Sequence, residues 1–493
     1  MAFQNKTVSE LSRLLKAKEI SAVELTTHFL KRIFSFQPSN SVVDVNFKLS
    51  LIQAIRADKM LRSRPSVSQL LGIPIVLKDI FASVGWGSVA ASQVLRGYES
   101  PFNSAVAKRC QVLGMVNVGK TNLDEFCMGS TGFKSYYGPI MNSYDARLIS
   151  GGSSGGSAVA VSMGLAPIAV GSDTGGSVRQ PASFSGVVSL KPTYGRISRF
   201  GMAAFASSFE QAGIIGHTAK DCSLLLGALA GPDVHDSTAS VSLGRNVRSW
   251  FGRFSNRVGS WGTCSRPLFS QKFGVLSEHL ESAAFSCAIR SLFCNAIKDL
   301  VVLGAEVVIV RQLGQLVGVP FNLVYRVITS AEAYSNLLRY NGLRFGRNNK
   351  PFGLEVGSRL EAGGKLLAVG SGSCSFHALA HFLREKLFRS FSEVLTNLNF
   401  VLCPTSSILP WPASKAGGSF SSSLSDVFTV LVNLMGLPTI SLPCGSVGHL
   451  GHQLPISFQL VGRPFSESEL VWVAHSYQLL TEWPLLVGSD AVF

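Results

Sequence analysis

Two short segments rich in glycine and serine are the parts of this sequence best suited to chemistry. Residues 151–157 read GGSSGGS and residues 171–177 read GSDTGGS. A serine hydroxyl acts as a nucleophile when a base removes its proton, and glycines beside it let successive backbone amides point at one developing oxyanion. The paired segments therefore predict nucleophilic catalysis by serine.

Lys78 is the predicted base for such a serine. None of the nine histidines lies in either segment, so histidine does not supply the base in an obvious way. Lys78 directly follows an apolar run, LLGIPIVL at 70–77, that predicts a buried strand. Because burial can lower the pKa of a lysine by several units, a lysine at the end of this strand is expected to be neutral and able to accept a proton.

Two further motif matches compete with this interpretation. Residues 114–121 read GMVNVGKT and match a phosphate-binding loop, which would make Lys120 the centre of a nucleotide-binding module. The middle of that segment favours a strand, whereas a phosphate-binding loop is irregular. Residues 152–156 read GSSGG and match the GxSxG elbow of hydrolases, which nominates Ser154, but no apolar strand leads into them. Both matches stay open as alternatives.

Neither the histidines nor the cysteines indicate a metal site. His377 and His381 share one face of a predicted helix, but the segment HALAH lacks the acidic residue of a zinc-protease helix, which favours a surface pair. The nine cysteines are an odd number and contain no C-x-x-C motif. Scattered cysteines of this kind are typical of free thiols in a reducing compartment. We therefore expect no metal.

The elements that must position these residues alternate between short apolar strands and helices. Residues 7–35 predict two amphipathic helices, and Ser21 is a suitable N-cap for the second. The other predicted elements are a strand over 70–77, a helix over 106–114, a strand over 115–118, a helix over 157–165, a strand over 168–170 that enters an irregular loop at 171–177, a helix over 282–303 and a strand over 306–310. This alternation favours an α/β fold in which helices cover a mixed sheet.

Composition places the chain among apolar globular proteins with an excess of positive charge. Hydrophobic residues make up 46% and charged residues 15% of the 493 residues, which excludes a disordered chain. The net charge of +15 fits a polyanionic partner such as tRNA, because attraction to phosphates needs only an excess of Lys and Arg. A basic excursion rich in Ser and Gly is predicted at the surface over about 236–268.

No membrane segment is predicted. The N-terminal residues lack the apolar core of a signal peptide and lead straight into an amphipathic helix. The most apolar long stretch, 424–444, is interrupted by Asp426, Asn433, a glycine and two prolines, which favours buried core over a membrane span. We therefore expect a cytoplasmic protein without membrane contact.

Four stretches give the sequence its resemblance to a known family. They are GIPIVLKDI at 72–80, GKTNLDEFCMGSTG at 119–132, the continuous segment 151–201 that contains both glycine and serine segments, and VNLMGLPTISLPCG at 432–445. Through these stretches the chain resembles the amidase signature family, and within it the A subunits of tRNA-dependent amidotransferases. The resemblance implies one α/β/α layered domain over 1–493 around a mixed sheet, with the signature core at about 65–215.

The catalytic residues of that family match residues of the segments described above. The resemblance implies that Lys78 is the base, Ser153 a bridging serine with a cis peptide bond, and Ser177 the nucleophile. The oxyanion hole would be formed by backbone amides of Thr174, Gly175 and Gly176. An arginine and an aspartate bind the glutamine substrate in the amidotransferase branch, and these resemble Arg359 and Asp426. Arginine suits a carboxylate through its bidentate fork, and aspartate suits an ammonium group.

The resemblance also implies an activity and an assembly. The chain would hydrolyse glutamine through a Ser177 acyl-enzyme and pass the ammonia to a separate B subunit. That partner would activate misacylated tRNA, Glu-tRNA(Gln) or Asp-tRNA(Asn), with ATP and Mg²⁺, and a small C subunit would complete a heterotrimer. No cofactor is expected in this chain. The alternative is a free-standing amidase of the same family that acts on a small amide.

Overall fold

A mixed sheet of eleven strands runs through the described part of the chain. The structure, a computed structural model, describes residues 3–63, 68–240, 266–277, 286–310, 321–343, 345–347, 351–368, 375–416, 425–449 and 451–482. The strands are β1 (Val42–Asp44), β2 (Pro74–Lys78), β3 (Val116–Thr121), β4 (Ile168–Asp173), β5 (Val188–Lys191), β6 (Gln211–Gly216), β7 (Lys272–Leu276), β8 (Glu306–Val310), β9 (Phe400–Pro404), β10 (Thr439–His449) and β11 (His452–Gly462). Their order across the sheet is β1-β3-β2-β4-β6-β5-β10-β11-β9-β7-β8.

Helices cover this sheet. Those of the described residues are α1 (Val8–Lys16), α2 (Ala22–Ser35), α3 (Phe47–Ser63), α4 (Ala105–Val112), α5 (Gly155–Ser162), α6 (Arg179–Phe184), α7 (Ala219–Leu229), α8 (Cys287–Val302), α9 (Phe321–Leu337), α10 (Leu354–Ala368), α11 (Phe376–Thr396), α12 (Val430–Leu434) and α13 (Glu467–Thr481). Every residue of β2 to β6 is buried, which requires cover on both faces of these strands. The prediction of an α/β/α layered fold around a mixed sheet is confirmed.

The parallel part of the sheet brings the predicted base to the glycine and serine segments. Strand β2 pairs in parallel with β3 on one side and with β4 on the other, with Leu77 opposite Val170. The carboxyl ends of β2 and β4 therefore lie at the same edge. In α/β sheets this edge is where ligands usually bind. Lys78, the last residue of β2, consequently lies next to the end of β4 and the loop that follows it.

Several predicted helices and strands are present, but they begin or end at other residues than predicted. The two N-terminal helices are present, and Ser21 caps the second through a reciprocal pair of bonds with Glu24. The predicted strand over 115–118 extends to Thr121, because it pairs with both β1 and β2. The loop predicted over 171–177 begins only at Thr174. Its first three residues continue β4, because they pair with β6.

Other expectations fall partly outside the described residues. Most of the predicted excursion over about 236–268 lies there, since the structure does not describe 241–265. The helix predicted over 282–303 is described from Cys287 to Val302. Among the described helices, none combines the length and the apolar character needed to cross a membrane.

Candidate active site

Lys78 lies at the carboxyl end of β2 with its side chain fully buried. Its Nζ donates hydrogen bonds to three serine hydroxyls, those of Ser153 at 2.7 Å, Ser154 at 2.9 Å and Ser172 at 2.9 Å. Burial outweighs the other influences and lowers the pKa of Lys78 from its ordinary value. The predicted combination of burial and contact with a serine is therefore present, and it favours a neutral amine.

The first glycine and serine segment supplies the loop before α5 and the first residues of that helix, and the loop is held from two sides. The peptide bond between Gly152 and Ser153 is cis, as expected. The Gly152 amide donates to the side chain of Gln180 at 2.9 Å, and the Asp124 amide donates to the Ser153 carbonyl at 3.3 Å. The Ser154 amide donates to the carbonyl of Ser177 at 3.0 Å, so this loop is bonded directly to the second segment.

The hydroxyl of Ser154 has no freedom to act as a nucleophile. It donates to the Ser172 carbonyl at 3.0 Å and accepts from the Ser172 amide at 3.2 Å and from Lys78. The residue is fully buried. Its proton and its lone pairs are therefore all engaged in structural hydrogen bonds, which removes the support for a GxSxG elbow at this position.

Ser177 occupies the loop between β4 and α6 and is the more accessible serine. The residue is 8% exposed, whereas Ser153 and Ser154 are fully buried. Within the described residues, the Ser153 hydroxyl contacts Lys78 but makes no hydrogen bond to the Ser177 hydroxyl. The structure thus brings two of the three predicted catalytic residues into direct contact and ties the third to them through the backbone bond from Ser154.

Asp173 organises the loop that carries Ser177. Its Oδ1 accepts from the Gly176 amide at 2.9 Å, and its Oδ2 accepts from the Val178 amide at 3.3 Å. The Arg179 guanidinium binds both oxygens at 3.0 Å, and Asn433 Nδ2 donates to Oδ1 at 2.9 Å. Burial would raise the pKa of Asp173, but Arg179 and these hydrogen bonds lower it to about 2. The carboxylate is therefore permanently charged at neutral pH.

One of the three predicted oxyanion donors is already engaged. The Gly176 amide is bonded to Asp173 and so is directed away from a bound oxyanion. Gly176 has φ of +125°, and a side chain at this position would collide with Thr429. The Thr429 hydroxyl donates to the carbonyl of Gly175 at 2.7 Å, which holds the loop from the outside.

Arg359 lies on α10 and is linked through Glu355 to Lys134 by two ion pairs. Its Nε donates to Glu355 Oε1 at 2.8 Å, and Glu355 in turn pairs with the Lys134 ammonium. Both cations lower the pKa of Glu355 to about 2 against the opposing effect of burial. A cavity of about 600 Å³ is lined by Glu355, Lys134 and Ser358, the neighbour of Arg359.

Asp426 precedes α12 and shares its surroundings with Arg359. Burial raises the pKa of Asp426 to about 7, while the Ser425 hydroxyl and the Arg359 charge lower it in part. Tyr325 on α9 lies close to both residues. Burial raises the pKa of its phenol, Arg359 opposes this rise and Asp426 adds to it, and the hydroxyl packs against Gly175. Tyr325 therefore lies against a glycine beside Ser177, and the charges of Arg359 and Asp426 both act on its phenol.

The competing motif residues lie elsewhere. Lys120 is a fully buried residue of strand β3 rather than of a loop, and its amine donates to the carbonyls of Phe81 at 2.6 Å and Gly87 at 3.0 Å. This geometry excludes a phosphate-binding loop at 114–121. His377 and His381 contact each other at 3.3 Å on α11, and the described residues contain no cluster of three metal-ligating side chains. The seven cysteines that the structure describes are free thiols.

Sequence reasoning missed several residues of this site. Asp173 lies inside the second segment and Arg179 lies two residues after it, within GSDTGGSVR, so the sequence does place an acidic and a cationic side chain close together there. Ser172 and Cys127, which also lie near Lys78, carry no local signal of their own. Tyr325 is distant in the chain and is brought to the site only by the packing of α9.

Comparisons with known proteins match most of the chain. The family model described as Amidase matches residues 24–471. The A subunit of glutamyl-tRNA(Gln) amidotransferase from Paraburkholderia phytofirmans is 39% identical, over 97% of this chain and 98% of that protein. The same-named protein of Burkholderia pseudomallei is also 39% identical, over 97% and 98%.

Solved structures share the fold. The crystal structure of the A subunit of glutamyl-tRNA(Gln) amidotransferase from Thermotoga maritima has a TM-score of 0.75 at 32% identity and covers 97% of this chain and 95% of its own. The native peptide amidase from Stenotrophomonas maltophilia has a TM-score of 0.81 at 25% identity, over 98% and 99%. Since both the family match and the relatives extend along nearly the whole chain, it belongs to the amidase family.

Proposed function

We propose that this chain hydrolyses glutamine and supplies ammonia as the A subunit of a tRNA-dependent amidotransferase. The observation that carries the proposal is the buried amine of Lys78, 2.7 Å from the Ser153 hydroxyl, on a loop bonded to the loop of Ser177. The opposite charges of Arg359 and Asp426 near that loop suit an amino-acid substrate. The relatives at 39% identity, which carry the name of this amidotransferase subunit, support the assignment to such an enzyme.

Acylation begins at Ser177. As Ser177 Oγ forms a bond to the side-chain amide carbon of glutamine, its proton passes to Ser153, and the proton of Ser153 passes to neutral Lys78. For this step the Ser177 hydroxyl turns toward Ser153 when substrate fills the site. The carbon–nitrogen bond then breaks, and the proton held by Lys78 returns through Ser153 to the leaving nitrogen, which departs as ammonia. Water then cleaves the glutamyl ester and releases glutamate.

Backbone amides stabilise the oxyanion of each tetrahedral intermediate. The Gly176 amide is committed to Asp173, so we assign this role to the amides of Thr174, Gly175 and Ser177 itself. One such donor typically contributes a factor of about 10² to 10³ in kcat. A side chain at position 175 would collide with the Tyr325 hydroxyl, so glycine there allows Tyr325 to pack against this loop.

The two charged residues hold the ends of glutamine that do not react. Glu355 occupies the Nε of Arg359, which leaves the two terminal nitrogens of the guanidinium for the substrate α-carboxylate. Ionised Asp426 pairs with the α-ammonium group. An amide that lacks both charged groups would forgo the contacts with Arg359 and Asp426, which disfavours small uncharged amides.

The products and partners follow from the assignment to an amidotransferase. Ammonia would pass to a B subunit, which uses ATP and Mg²⁺ to activate Glu-tRNA(Gln) or Asp-tRNA(Asn), while a C subunit completes the heterotrimer. The steps assigned to Lys78, Ser153 and Ser177 need only proton transfer and acyl transfer, so the chemistry of ATP falls to the partner. The proposed location is the cytoplasm, where misacylated tRNA is available.

The decisive experiment measures ammonia release from glutamine by wild type and Ser177→Ala. Both are assayed with B and C subunits and misacylated tRNA, and each also alone. The matched control is Ser185→Ala, because Ser185 is a buried serine at the end of the helix that follows Ser177, with no hydrogen-bond partner for its hydroxyl among the described residues.

We expect Ser177→Ala to abolish ammonia release, Ser185→Ala to keep it, and the partners to stimulate wild type. Full activity of the isolated wild-type chain on small amides would instead identify a free-standing amidase. Unchanged activity of Ser177→Ala would reject the proposed nucleophile.

A further inference from the structure

The Lys78 amine is surrounded by hydroxyl groups in a way that constrains its protonation. Three of them, on Ser153, Ser154 and Ser172, lie between 2.7 and 2.9 Å from Nζ. An ammonium group has three hydrogens and can donate to all three. A neutral amine has two hydrogens and one lone pair, so one of the three hydroxyls must donate to it. Catalysis requires that this hydroxyl be Ser153, since only then does the lone pair face the proton that it must accept.

Ser154 is excluded as the donor. Its hydroxyl proton is directed at the Ser172 carbonyl, 3.0 Å away, while its lone pairs accept from the Ser172 amide and Lys78. Only Ser153 and Ser172 then compete to donate to the neutral amine. If Ser172 donates, the hydrogens of Lys78 point at Ser153 and Ser154, and the amine cannot take a proton from Ser153.

Cys127 offers the Ser172 proton another acceptor. Its sulfur lies 3.4 Å from Ser172 Oγ, and the thiol is buried. Sulfur is a weak acceptor and a weaker donor than a hydroxyl, so in this pair the hydroxyl is the better donor. When Ser172 donates to the sulfur, its oxygen is left to accept from Lys78, and the lone pair of the amine faces Ser153.

The backbone supports a specific placement of this thiol. Phe126 and Cys127 have φ of +47° and +64°, a region that residues other than glycine rarely adopt. The Cys127 amide donates to the Asp124 carbonyl at 2.9 Å, which closes the turn. Such conformations persist where the surrounding structure holds them, and they concentrate at functional sites.

We propose that Cys127 and Ser172 are positioning residues that direct the lone pair of Lys78 toward Ser153. Cys127 does so by accepting a hydrogen bond from the Ser172 hydroxyl. The oxygen of Ser172 can then only accept a hydrogen bond from Lys78. This inference rests on the proposed function, because it concerns the same base.

The prediction that tests it is a rescue by a second substitution. Cys127→Ala frees the Ser172 proton to turn toward Lys78, so acylation should fall by about tenfold, a part of what general-base catalysis contributes. Adding Ser172→Ala to Cys127→Ala removes the misdirected donor, so the double variant should acylate faster than Cys127→Ala. A merely structural role predicts the opposite, since the second substitution would add to the damage.

Two conservative comparisons make the test sharper. Cys127→Ser keeps an acceptor for the Ser172 proton and should retain more activity than Cys127→Ala. Cys222→Ala and Ser189→Ala are matched controls, because both residues are buried and lie outside the contacts of Lys78. They should acylate at the wild-type rate.

The pH profile provides an independent readout. Burial lowers the pKa of Lys78, while its interactions with Cys127 and the charges of Asp124 and Asp173 raise it. Ser172→Ala removes one acceptor of the ammonium form, so the acid limb of kcat/KM should move to lower pH. Cys127→Ala should move it in the same direction while lowering the plateau.

The rates are measured as the burst of ammonia release in the complete complex. A Cys127→Ala variant with the wild-type rate, or a double variant no faster than Cys127→Ala, would overturn the inference. Ser177→Ala in the same assay separates this outcome from a failure of the proposed function: if that variant stays active, the nucleophile is wrong and the inference falls with it.

Discussion

The Arg179 guanidinium donates hydrogen bonds to both carboxylate oxygens of Asp173 at 3.0 Å, and neither side chain is exposed to solvent. The same two oxygens accept from the Gly176 and Val178 amides, the residues on either side of Ser177. The ion pair therefore fixes the backbone that presents the proposed nucleophile. It links the start of α6 to the end of β4 across one short loop.

Breaking this pair is expected to cost both stability and activity. Arg179→Met leaves a buried carboxylate unpaired, which should lower the free energy of unfolding by about 3–5 kcal/mol, measured by urea denaturation. Ammonia release should fall as well, because the loop loses its anchor. The matched control is Arg147→Met, which removes an ion pair to Asp145 from an arginine whose side chain is 68% exposed. It should cost less than about 1 kcal/mol. Equal losses in the two variants would contradict a structural role for the buried pair.

Lys120 is expected to serve stability rather than nucleotide binding. It is buried beside Asp79 at 3.8 Å and donates to two backbone carbonyls. Lys120→Met should therefore lower the free energy of unfolding by about 3–5 kcal/mol in urea denaturation. Burial raises the pKa of Asp79 to about 6, so adding Asp79→Asn should recover part of the loss. Binding of ATP to the isolated chain that disappears in Lys120→Met would restore the phosphate-loop interpretation.

Those parts of the site that depend on local sequence were predictable. Lys78 ends an apolar strand, and the two glycine and serine segments stand out by their composition. The contact of Lys78 with the second segment, however, depends on the parallel pairing of β2 with β4, which the sequence did not predict. The bounds of β4 were not predictable in this way. Gly171, Ser172 and Asp173 have weak strand propensity, and they are extended only because they pair with β6.

Contacts between distant segments could not be read from the pattern. Glu355 supports Arg359 from within the same helix, yet its pairing with Lys134 depends on how α10 packs against the loop after β3. The engagement of the Gly176 amide by Asp173 also has no signature in sequence, because glycine-rich segments indicate free amides without saying which of them are used.

Lys78 should impose an acid limit on activity. Its pKa is lowered by burial from the ordinary 10.5, and only the neutral amine accepts a proton. As pH falls through that lowered pKa, Lys78 becomes charged and kcat/KM for glutamine should decline. Lys78→Ala should reduce kcat/KM by about 10²- to 10⁴-fold.

A second buried lysine provides the control for this profile. Burial lowers the pKa of Lys191 to about 7, yet its amine contacts the carbonyl of Pro192 rather than the catalytic serines. Lys191→Met should therefore keep the acid limb of the profile. Loss of the limb in this variant would show that Lys191, and not Lys78, is the group that titrates.

Asp426 should make glutamine binding dependent on pH near neutrality. Its pKa is raised by burial to about 7, and only the ionised carboxylate pairs with the substrate ammonium group. Below pH 7 the carboxylate takes up a proton, so KM for glutamine should rise as pH falls. The rise should be about tenfold between pH 8 and pH 6. The charges of glutamine itself do not change in this range. Steady-state kinetics of ammonia release by the complete complex between about pH 6 and 8 would measure the effect.

Asp426→Asn should raise KM at every pH and flatten its pH dependence, because no carboxylate is left to titrate. The matched control is Asp221→Asn on α7, since burial also raises the pKa of Asp221, to about 6, at a position outside the site. That variant should keep the wild-type dependence of KM on pH. If the dependence survives in Asp426→Asn or disappears in Asp221→Asn, Asp426 does not bind the ammonium group, and the preference for an amino-acid substrate must come from Arg359 alone.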